Sequence, residues 1–144
     1  MENIAKFLSA AFGAVISFFV GCPPIMCVLI AVMSLDYITG IICGAMGRSL
    51  KTDNGGLSSG AAFTGLLKKA VILVVVALAA LLDWAVASGA GVSFNAVTGA
   101  TCLWFIASEG VSIIENAAEI GIPIPAVLRQ ALEIMKGANK DNLN

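Results

Sequence analysis

Apolar residues fall in four long runs, separated by polar or glycine- and proline-rich breaks. A helix that crosses ~30 Å of hydrocarbon needs ~20 mainly apolar residues. The first run, about 4–20, is short and carries Gly13 and two serines. It stops at Gly21-Cys22-Pro23-Pro24, a strong break. The second covers about 25–47. The third is the cleanest, from Ala70 to Ala87, with VILVVVALAALL at its heart. Leu66-Leu67 can start that helix early, so the span is drawn at about 66–87. The fourth covers about 97–116, through Cys102-Leu103-Trp104-Phe105-Ile106. The pattern predicts an all-α integral membrane protein with about four transmembrane helices. The three-span alternative lays the short first run in the interface.

The connections differ. Arg48 to Lys69 reads as a long polar loop, with Gly55-Gly56 and Ser58-Ser59-Gly60 as flexible points. The turns Gly21 to Pro24 and Ser88 to Asn95 carry no charge. After the last span, Ile122-Pro123-Ile124-Pro125 ends one element and can start another, since proline suits a first helical turn. From about 125 to 136, Val127, Leu128, Ala131, Leu132 and Met135 share one face. Arg129, Gln130, Glu133 and Lys136 share the other. This is an amphipathic helix, ended by Gly137. At about three turns it is too short to stand alone and must dock on something. Residues 1–137 thus read as a single membrane domain and 138–144 as a polar tail.

Composition agrees with the pattern. Of the 144 residues, 59% are hydrophobic and 12% charged, and the mean hydropathy is +0.98. An ordinary soluble domain has about 45–50% apolar and about 25% charged residues. So small a chain could not hide this much apolar surface from water. A formal net charge of −1 excludes a strongly basic nucleic-acid binder. With no histidine, Ser-His-Asp, Cys-His and histidine-ligated metal sites are excluded within the chain. No catalytic constellation and no cofactor motif is present, so an enzyme is not expected. Cys22, Cys27, Cys43 and Cys102 form no CxxC pair and read as small apolar filler. Phe19-Val20-Gly21-Cys22 weakly resembles a lipoprotein cleavage box, a reading disfavoured by Pro23.

All eight basic residues lie at the N-terminus, in the long loop or in the C-terminal tail. Four spans put these regions on one side and the two uncharged turns on the other. The positive-inside rule then places both termini and the long loop in the cytoplasm.

Three acids lie inside the predicted spans, more than a turn from their ends: Asp36 in the second, Asp83 in the third, Glu109 in the fourth. The second and fourth runs, and the third from Ala70 to Ala87, contain no basic residue to pair with them. An ionised acid at mid-bilayer costs about 3 kcal/mol on insertion scales, so protonation, mutual hydrogen bonding or access to water is expected. Asp36, Gly40, Gly44 and Gly47 form one stripe, and Gly40 to Gly44 is a GxxxG step that admits a neighbouring helix backbone. Glu109, Ser112 and Asn116 form a polar stripe on the fourth span. Two readings stand side by side. The acids hold helices together, or they line a path that fills with water.

Five segments occur in order that together carry a resemblance. They are Asp36-Tyr37-Ile38-Thr39-Gly40; Ser58 and Gly60 leading to Gly65-Leu66-Leu67-Lys68-Lys69; Asp83; Glu109-Gly110-Val111-Ser112-Ile113-Ile114-Glu115-Asn116; and Gly121-Ile122-Pro123-Ile124-Pro125. Over roughly residues 25 to 135 the chain resembles the toxin secretion/phage lysis holin family of Gram-positive bacteria and their phages. The resemblance implies a homo-oligomer in the cytoplasmic membrane that opens lesions at a set time. An endolysin, or in some bacteria a large toxin, then crosses. It also implies Asp36, Gly40, Asp83, Glu109, Ser112, Glu115 and Asn116 as the motif positions. Alternative readings are a small proton- or ion-conducting transporter subunit and an antiholin that regulates a holin partner.

Overall fold

The computed structural model describes residues 23–137, together with Lys6. The predicted first span, about 4–20, and the tail 138–144 lie outside the described residues. All regular structure among the described residues is helical: α1 (Pro24–Ala45), α2 (Ser59–Ala90), α3 (Ala96–Glu119) and α4 (Ala126–Gly137). The first three are long and apolar enough to cross a membrane.

Helix boundaries follow local chemistry. Pro24 stands in the first turn of α1, where its missing N–H costs nothing. Ser58 caps α2, its hydroxyl accepting the Ala61 N–H at 3.4 Å. The α2 helix therefore begins at Ser59, not at 66, and the long loop predicted to reach Lys69 closes at Ser58. Ser58-Ser59-Gly60 is a helix start rather than a flexible point, and α2 runs for 32 residues, about 48 Å. At the end of α3 the Gly121 N–H donates to the Ala118 carbonyl and the Ile122 N–H to Ala117, both at 3.0 Å. Gly121 takes φ +88° there, a left-handed value that suits glycine.

The three long helices bury little. Leu29 and Met33 of α1, Val76 of α2 and Cys102 of α3 form the core, flanked by Ile25, Ile72 and Phe105. Leu35, Ile38, Phe63, Val74, Leu81 and Trp84 all face outward. An exposed apolar shell around a thin core fits a protein whose solvent is lipid.

The loop between α1 and α2 folds back on the end of α3. Arg48 Nη1 donates to the Ile120 carbonyl at 3.0 Å. Glu119 accepts the Leu50 N–H at 3.4 Å and the Cys43 thiol at 2.9 Å. Cys43 is thus more than apolar filler, whereas Cys102 is core. This loop and the α3–α4 turn lie at one end of the bundle, and the α2–α3 turn lies at the other.

The α4 helix docks on α3. A Cβ at Gly110 would stand 2.9 Å from Leu132 Cδ2, so glycine is what lets the leucine seat. Val127 and Leu128 of the predicted apolar face point outward and are exposed.

Candidate functional site

Three charged side chains meet inside the bundle, one from each long helix. Asp36 stands nine residues before the end of α1, Lys69 ten after the start of α2, and Glu109 ten before the end of α3. At 1.5 Å per residue these are the same depth, about 14–15 Å from the loop end. The Lys69 ammonium contacts Asp36 Oδ2 at 2.8 Å and also Glu109 Oε2. The three side chains are only 11%, 12% and 13% exposed for Lys69, Asp36 and Glu109. The expectation of acids without a cation is therefore corrected. Lys69, at the edge between the predicted polar loop and the third apolar run, sits well inside α2 and reaches both carboxylates.

Asn116, 1% exposed, extends the cluster. Its amide Nδ2 donates to Asp36 Oδ1 at 3.2 Å and to Thr39 Oγ1 at 3.0 Å. Its Oδ1 accepts from Lys51 Nζ at 3.0 Å, and Lys51 also donates to Ser112 Oγ at 3.2 Å. The predicted stripe Glu109, Ser112 and Asn116 thus faces one side of α3 and meets two lysines there. Two carboxylates against Lys69 leave one formal negative charge. The amide of Asn116 and the ammonium of Lys51 behind it offset that charge. A buried pair of this kind contributes little in itself, but removing one partner typically costs about 3–5 kcal/mol.

Asp83 belongs to a second polar layer. It lies 14 residues beyond Lys69, about 21 Å along α2. Its Oδ1 accepts the Val97 N–H at 3.1 Å and its Oδ2 the Thr98 N–H at 2.7 Å. It caps α3 from a neighbouring helix, doing what the residue at the helix start does elsewhere, and its negative charge suits that helix end. Asn95, at the cap position itself, makes no such bond. Between the two layers lies the apolar core.

The remaining candidates divide. Gly40 faces the side chain of Asn116, where a Cβ would stand 3.7 Å from Nδ2. Gly44 faces Leu57 of the loop. The predicted GxxxG step therefore receives a side chain and a loop, not a second helix backbone. Glu115 is exposed and lies off the cluster. Lys69, Lys51 and Thr39 were not singled out from the sequence. The equal depth of Asp36, Lys69 and Glu109 emerges only with the observed ends of α1, α2 and α3.

Above the charge cluster, between α1 and α2 and beneath the loop, lies a cavity of about 470 Å³. Asp36, Lys69, Glu109 and Ser112 line it, together with Lys51 and Lys68. Among the described residues, His, Cys, Asp and Glu form no group placed to hold a metal ion.

A sequence model described as the bacteriophage holin family matches residues 13–137. An uncharacterised Clostridium perfringens protein is 37% identical over 120 residues, 83% of this chain and 78% of its own length. An uncharacterised protein of Halalkalibacterium halodurans is 31% identical over 139 residues, 95% of this chain and 97% of its own. A protein of Bacillus phage phi105 named "Probable holin" is 35% identical over 106 residues, 73% of this chain and 69% of its own. No solved structure matches the chain.

Proposed function

The chain belongs to the bacteriophage holin family, and we propose that it assembles with copies of itself in the bacterial cytoplasmic membrane and opens lesions there. An endolysin, or a large toxin, crosses through them. The observation that carries this reading is the charge cluster of Asp36, Lys69 and Glu109, sealed between helices whose outer faces are apolar. A lesion-forming helix must first rest in lipid and later show a polar face to water. With the three helices closed, the charges satisfy one another. With them parted around a lumen, water replaces the lost partners. The basic residues of the α1–α2 loop support a cytoplasmic position for that end of the bundle, with α4, by the positive-inside rule. With the first run as a fourth span, both termini lie there too.

The test is induced expression in a bacterium together with a signal-less endolysin, following turbidity and membrane potential. Sudden depolarisation followed by lysis, dependent on both proteins, is expected. Gradual depolarisation without endolysin release would replace the reading with a small conducting subunit. Continued growth with the protein inserted, and delayed lysis when a second holin is co-expressed, would replace it with an antiholin.

A further inference from the structure

The cavity between α1 and α2 has a use that lesion formation does not require. Its walls are small residues, Gly40 and Gly44 on α1 and Ala61 and Gly65 on α2. There the two helices stand apart. Gly65 has only the Tyr37 ring near it, 4.0 Å from where a Cβ would stand. Three ammonium groups, of Lys51, Lys68 and Lys69, line the space against the carboxylates of Asp36 and Glu109. Lys69 is occupied by those two acids at the cavity floor. Lys51 binds only the neutral Ser112 and Asn116. Lys68 has no partner among the described residues. Three ammonium groups against two carboxylates leave one positive charge in excess, and Lys68 carries it. Asp53 lines an adjoining surface depression, which shares Lys51, Thr52 and Ser58 with the cavity, and is not among the residues of the cavity itself. Lys68 also stands two residues before the apolar run that starts at Ala70, near the level of lipid headgroups.

We propose that this cavity is a headgroup site for an anionic phospholipid of the leaflet facing the α1–α2 loop. Its phosphate meets Lys68 and Lys51, and the threonine and serine hydroxyls of the loop, Thr52 and Ser58, complete the polar wall. The volume of about 470 Å³ is within the range of small-molecule sites. Basic pockets between spans on the cytoplasmic side suit such headgroups, because that leaflet carries the anionic lipid. The inference rests on insertion in a membrane, not on lesion formation, so either can fail alone.

The experiment is native mass spectrometry of the full chain in mild detergent, with phosphatidylglycerol or phosphatidylcholine of identical acyl chains added. Retention of one phosphatidylglycerol per protomer, in preference to phosphatidylcholine, is expected. Lys68→Gln and Lys51→Gln should each lower it about fivefold. Ala61→Phe keeps both lysines and fills the space, so it should lower retention as well. Arg129→Gln removes an exposed charge on α4 and should leave retention unchanged. Equal retention of the two lipids overturns the proposal. So does undiminished retention in Ala61→Phe, or an equal loss in Arg129→Gln. Displacement of the lipid by an equal concentration of inorganic phosphate would assign the cavity to free phosphate and overturn the lipid.

Discussion

Lys69 is the residue on which the charge balance of the bundle turns. It is the one cation between Asp36 and Glu109, and its side chain is 11% exposed. Lys69→Gln leaves two carboxylates facing each other without a cation, a state that costs about 3–5 kcal/mol when the pair is buried. Glu109→Gln carries no such cost, because Asp36 still pairs with Lys69 and the formal charge of the triad falls to zero. Thermal unfolding in detergent should rank the variants with Lys69→Gln the least stable. Adding Glu109→Gln to Lys69→Gln should recover part of the loss. A double variant no more stable than Lys69→Gln alone would show that the two acids do not share the lysine. Sequence reading found both acids and missed the lysine for a physical reason. A span is recognised by uninterrupted apolar residues, and Lys69 stands where that run begins. Pairing across helices depends on depth, which appears only once the helix ends are fixed.

At the scale of elements, two contacts govern how α3 is held. The first is the cap that Asp83 supplies to Val97 and Thr98. Asp83→Ala should cost about 1 kcal/mol, the usual loss when an N-cap side chain is removed. Asp83→Asn should retain most of it, since an amide oxygen still accepts one N–H. Hydrogen exchange at the Val97 and Thr98 amides reads this directly: faster in the alanine variant, near the parent rate in the asparagine one. The second contact is Leu132 on Gly110. Gly110→Val puts branched carbon where the leucine sits and should undock α4. Trypsin should then cleave after Arg129 at least several-fold faster, and Leu132→Ala in the same chain should restore part of the protection. Elements themselves were largely legible. Lipid demands long apolar runs, and α1, α2 and α3 lie where those runs lie. The start of α2 was not, because the serines and glycine at 58–60 suit a loop and a helix cap equally. The amphipathic pattern of α4 was legible too, but not its orientation. A single close approach at Gly110 decides that, and no periodicity encodes it.

For the whole molecule, the proposed opening changes what solvates the charge layer, which gives the timing of lysis a predictable sign. Closed, the layer holds two carboxylates against Lys69, with Asn116 and Lys51 offsetting the remainder. Open, water solvates each group. Neutralising one acid lowers the repulsion within the closed layer and so favours the sealed state. Removing the lysine raises that repulsion and favours opening. Glu109→Gln should therefore delay lysis in the endolysin co-expression assay, and Lys69→Gln should advance it, provided both reach the membrane in parental amounts. Asp36→Asn combines two effects, since Asp36 also accepts from Asn116. Its amide can keep that bond through its oxygen, so it too should delay lysis, with insertion unchanged. Membrane fractionation and immunoblotting fix the inserted amount, and the time of the turbidity drop gives the readout. Opposite shifts from the acid and lysine variants tie opening to the charge layer. Unchanged timing in Asp36→Asn and Glu109→Gln would confine the cluster to holding the helices together.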